Sequence, residues 1–77
     1  MIDIKYTRET AIEALKLFAE SVPESRNMKL FEAVRRVSEN SWRQINDEAD
    51  AIDALALAEL MRFVERENMN WKDVYPE

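Results

Sequence analysis

The chain has no cysteine, no histidine and no glycine, and only two prolines among its 77 residues. Each absence removes a class of explanation. Without cysteine there are no disulfides, and without cysteine or histidine there is no conventional zinc site. Histidine is the commonest general acid or base. Ser21, Ser25, Ser38 and Ser41 therefore have no imidazole to activate them. Average usage of about 7% would give roughly five glycines. Their absence makes tight type I′ hairpins and glycine-rich phosphate loops improbable, and left-handed backbone positions fall to Asn or Asp. No run of about 18 apolar residues exists, so no membrane-spanning helix is expected. The start, MIDIKYTRE, has neither a basic n-region nor an apolar h-region, so no secretory leader is expected. Cysteine-free composition suits a reducing cytoplasm. Size and make-up are compatible with a small bacterial or phage accessory protein.

What remains is rich in helix formers and in charge. The net charge is −5, unevenly placed. Residues 25–46 carry five basic and two acidic groups, whereas residues 47–77 carry three basic and nine acidic. The expected fold is all-α: a single-domain three-helix bundle over residues 1–77, with a short extended N-terminal arm and a packed C-terminal tail. A chain of this size has a marginal core, and self-association is the supplement its composition leaves open.

Periodicity places the helices at about 8–21, 26–45 and 47–67. Thr7 is a plausible N-cap for the first, whose inward face is Ala11, Ile12, Leu15, Phe18, Ala19 and Val22, with Leu17 opposite. Val22-Pro23 ends it. Ser25 or Asn27 would cap the second, which buries Leu30, Phe31, Val34, Val37, Ser38, Ser41, Trp42 and Ile45. Asn40 and Ser41 weaken its middle by propensity. Asn46 or Asp47 would cap the third, and Asn68 would stop it. Ile2 and Ile4 alternate with Asp3 and Lys5, which reads as an arm laid on the helices or, less favoured, as a strand paired with the tail. Met69, Trp71, Val74 and Tyr75 make the tail too apolar to be disordered, and a helical turn is expected near Asn70–Val74.

The third helix is the most informative segment. Ile52, Leu55, Leu57, Leu60, Met61, Phe63 and Val64 spread over roughly two-thirds of its wheel, while an ordinary surface helix needs a stripe only somewhat over 100° wide. It is therefore the hub of a monomeric bundle or half of an interface. Its opening letters, DEAD, match a helicase motif in spelling alone. Asp47, Glu48 and Asp50 complement the helix dipole, and a solvated acidic edge explains Asp47, Asp50 and Asp53 more simply than a metal site.

No enzymatic activity and no cofactor is expected. The favoured reading is a non-catalytic, regulatory or accessory protein-interaction module that binds a protein partner or itself as a homodimer, with Leu57, Met61, Val64 and Trp71 as contact residues. An alternative is an acidic inhibitor or nucleic-acid mimic that presents Asp47, Glu48, Asp50 and Asp53 to a basic cleft. A second alternative is a nucleic-acid-binding regulator that uses Arg26, Lys29, Arg36 and Arg43 against phosphates. Interleaved Glu32→Arg36 and Glu39→Arg43 pairs and the acidic start of the third helix count against it. No membrane partner and no small-molecule substrate is expected.

Overall fold

The computed structural model describes residues 5–76. Those residues form α1 (Arg8–Ser21), a 3₁₀ helix (Pro23–Asn27), α2 (Leu30–Arg43), α3 (Glu48–Arg66) and a one-turn α4 (Trp71–Val74), with no strand among them. The fold is all-α with helix-on-helix packing, as the periodicity implied. No helix among the described residues is long and apolar enough to cross a membrane. The expected extended arm, with Ile2 and Ile4, lies outside the described residues.

The helix ends follow side-chain chemistry. Thr7 caps α1: its Oγ1 accepts from the Thr10 N–H at 3.2 Å, and the Thr10 Oγ1 accepts from the Thr7 N–H at 2.8 Å. Asp47 caps α3, its Oδ1 accepting from the Asp50 N–H at 2.9 Å. At the other end of α3, Asn68 adopts φ 51°. The Met69 N–H then reaches the Val64 carbonyl at 3.0 Å and the Asn68 N–H reaches that of Glu65 at 3.2 Å. This is the Schellman pattern, with asparagine in the left-handed position that glycine usually takes. Asn70 caps α4 by accepting from the Lys72 N–H at 2.9 Å, and Asp73 accepts in return from the Asn70 N–H at 2.9 Å.

The second helix departs from the expected span of 26–45. Pro23 nucleates a 3₁₀ turn instead, and Met28 is extended, with φ −112° and ψ 162°. α2 begins at Leu30, with Lys29 in the N-cap position and making no side-chain cap bond. Neither Ser25 nor Asn27 caps it. Ser25 is buried within the 3₁₀ turn, and its Oγ has no hydrogen-bond partner. Asn40 and Ser41 do not interrupt the helix, which runs through to Arg43.

One hydrophobic cluster joins Ala11, Leu15 and Phe18 of α1, Leu30, Ala33 and Val34 of α2, Leu60, Phe63 and Val64 of α3, Met69, and Val74 of α4. The core therefore draws on the C-terminal half of α3. α2 is the main neighbour of α3 as a whole. Toward the acidic start of α3, Ile52 and Leu55 are 37% and 40% exposed, and Trp42 of α2 is 47% exposed. Trp42 was expected inside. It lines a hollow between α2 and α3 with Ala58 and Met61 instead, and the indole stays half-exposed there. Leu17 is 66% exposed, as its place on the outer side of α1 implied.

Candidate functional site

The four-residue link from Gln44 to Asp47 folds α2 and α3 into a helical hairpin. On α2, Phe31, Ser38 and Trp42 are seven and four residues apart, so they share one flank. On α3, Ala58 and Met61 meet that flank. Together they line a groove of about 400 Å³, edged by Arg35, Glu39 and Arg62. Its lining is apolar at the base and carries both signs of charge at the rim. Arg35 Nε bonds Glu39 Oε1 at 3.1 Å along α2, and Arg62 Nη1 bonds Glu59 Oε1 at 3.2 Å along α3. Both pairs are solvent-facing, so each contributes little to stability.

The four expected contact residues do not form one patch. Leu57, Met61 and Val64 share a side of α3, but Val64 is 1% exposed and belongs to the core. Leu57 is half-buried. Met61 reaches the groove. Trp71 stands at the α4 end, where its Nε1 donates to the Met28 carbonyl at 2.8 Å and its ring stacks on Tyr75 with centroids 6.4 Å apart. The hollow beside Trp71 and the groove beside Met61 share Phe31 as a wall.

The acidic residues at the start of α3 are partly consumed by local structure. Asp47 caps the helix, and Asp50 Oδ2 accepts from the Asn46 N–H at 3.1 Å. Glu48 and Asp53 are exposed. The basic series is divided. Arg26 belongs to the 3₁₀ helix and Lys29 precedes α2, while Arg36 and Arg43 lie on α2 itself. The expected Glu32–Arg36 and Glu39–Arg43 pairs do not form among the described residues. Glu39 is taken by Arg35 instead.

Tyr6 fixes the described end of the N-terminal segment against α3. Its hydroxyl donates to the Ala56 carbonyl at 3.4 Å. Burial pushes its phenol above the ordinary value, and the nearby Glu59 carboxylate adds to the shift.

Phe31, Arg35, Glu39 and Trp42 line the groove without being among the contact residues expected from the sequence. The signal was present in the spacing of Phe31, Ser38 and Trp42, but periodicity marks a face as apolar without saying whether a neighbour covers it. No known protein family matches this chain, and neither a curated protein nor a solved structure is similar to it.

Proposed function

We propose that this protein is a non-catalytic interaction module that pairs with a second copy of itself through the α2–α3 flank. The carrying observation is the groove beside Trp42: a half-exposed indole stands next to Met61, Ala58 and Phe31 on a two-helix surface. Large aromatics at the centre of a contact dominate binding energy. A two-helix flank becomes a four-helix arrangement when two copies meet face to face, and such a contact must be self-complementary. The rim suits this, because Arg35, Glu39 and Arg62 present both signs of charge on one flank. Ile52 and Leu55 are also exposed on α3, but their helical positions turn them away from the Met61 side, so they lie outside this flank. A regulatory or accessory role in a reducing cytoplasm is consistent with this reading.

The acidic-mimic reading draws less support, since Asp47 and Asp50 are engaged in capping bonds. The test is the molar mass in solution across a concentration series, by analytical ultracentrifugation. A dimer is expected at micromolar concentration. Trp42→Lys and Met61→Lys should each give a folded monomer, with the helical circular dichroism spectrum retained. A monomer at every concentration, or a dimer unaffected by both substitutions, would refute the proposal.

A further inference from the structure

The end of the molecule remote from the acidic start of α3 holds a hollow of different chemistry. Residues 26–31 form one wall, and residues 68–72 form the other, around about 690 Å³. Its charged lining residues are Arg26, Lys29 and Lys72, and none is acidic. A second hollow of about 520 Å³ shares Arg26, Trp71 and Lys72 and adds Tyr75. In a chain with net charge −5, this concentration of positive charge runs against the whole. Asp73, the carboxylate beside Lys72 in sequence, is committed elsewhere: Oδ1 takes Arg8 Nη2 at 2.9 Å, and Oδ2 accepts from the Asn70 N–H. Lys29 and Lys72 make no ion pair among the described residues.

An aromatic wall accompanies the charge. The bond from Trp71 Nε1 to the Met28 carbonyl fixes the plane of the indole. Tyr75 stacks beside it with an interplanar angle of 29°, and the Arg26 guanidinium lies 4.3 Å over the Tyr75 ring. A pinned ring loses little freedom when another flat ring stacks on it, and base–aromatic stacking is worth about 1–3 kcal/mol per base. Ammonium groups beside such a ring attract phosphate. The volume falls within the about 300–1,000 Å³ of small-ligand sites.

We propose that this hollow binds a nucleotide, its base stacked on Trp71 and its phosphate held by Lys29 and Lys72. An acidic peptide would use the same cations but would gain little from a fixed indole, so the ring favours a nucleotide. The shared chemistry, a phosphate ester carrying a planar base, occurs in a free mononucleotide and at the phosphorylated end of a single strand. The site does not use Trp42 or Met61, and its ligand-holding residues Lys29, Trp71 and Lys72 are absent from the groove, with which it shares only Phe31 as a wall, so its test is separate from that of the dimer.

The test uses the full chain carrying Trp42→Phe, which leaves Trp71 as the sole indole. Its fluorescence is titrated with adenosine monophosphate, with adenosine, with a 5′-phosphorylated oligodeoxyadenylate and with poly-glutamate. Saturable quenching by the monophosphate is expected, with adenosine binding at least tenfold more weakly. Adding Lys29→Glu and Lys72→Glu should abolish that difference while the circular dichroism spectrum stays unchanged. Equal affinity for the monophosphate and the oligonucleotide would identify a free nucleotide as the ligand, and tighter binding of the oligonucleotide would identify a strand end. The proposal is overturned if neither quenches saturably, if adenosine binds as well as its monophosphate, if charge reversal changes nothing, or if poly-glutamate binds more tightly than both.

Discussion

Asn68 shows how one residue type settles a turn in a chain without glycine. A residue with a Cβ in the left-handed region costs about 1–2 kcal/mol, which asparagine tolerates better than most. Asn68→Ala should therefore lower stability by about 1 kcal/mol, whereas Asn68→Gly should match the parent or exceed it by up to about 1 kcal/mol. Urea midpoints in the order Gly, Asn, Ala, with the first two allowed to coincide, would bear this out, and an alanine variant as stable as the parent would refute it. Tyr6 supplies a titration at the same scale. Its folded phenol holds the proton more tightly than an unfolded one, through burial first and Glu59 second. The stability this contributes is full below about pH 10 and is lost as pH rises through the folded value. Thermal melts above pH 10 should thus fall more steeply for the parent than for Tyr6→Phe. Parallel curves would show that the tyrosine plays no part in the alkaline loss.

At the level of elements, capping and periodicity were legible where local chemistry decides the outcome. Thr7, Asp47 and Asn70 sit where their side chains satisfy helix ends, and Asn68 takes the left-handed position that lets main-chain N–H groups close α3, because such bonds span only two to five residues. The start of α2 was not legible. Ser25 and Asn27 look like caps, but Pro23 favours a tight turn, and the extended Met28 moves the helix start to Leu30. α4 is too short to persist alone. It is held by reciprocal bonds between Asn70 and Asp73 and by Val74, which is fully buried in the common core. Val74→Ala deletes two buried methyl groups, each worth about 0.8 kcal/mol before any cavity cost. The expected loss is about 2 kcal/mol of global stability. It would appear as faster hydrogen exchange at Leu15 and Val34 as well as in the tail. Faster exchange confined to residues 70–75 would mean that α4 opens independently of the bundle.

Across the whole molecule, the sequence implied that α3 is too apolar for an ordinary surface helix, and the fold divides that excess along its length. Leu60, Phe63 and Val64 meet the core, while Ile52 and Leu55 remain exposed at the other end. Which end would be covered could not be read from periodicity, because it depends on where α1 and α4 pack, and that is fixed by contacts distant in sequence. The molecule extends 39 Å along its longest axis against 18 Å along its shortest. If the exposed flank is half of a dimer, folding and association are linked, since a partner that binds only the folded chain stabilises it by mass action. A tenfold rise in protein concentration then adds about 1.4 kcal/mol per dimer, or about 0.7 per chain. For a domain of this size each kcal/mol moves the melting temperature by about 4–8 °C. The parent should therefore melt roughly 3–6 °C higher for each tenfold increase in concentration. Trp42→Lys should melt at one temperature throughout, because a monomer has no such term. A concentration-independent melt for the parent would place the exposed residues of α2 and α3 outside any self-contact. The flank would then have to be explained by a different protein partner.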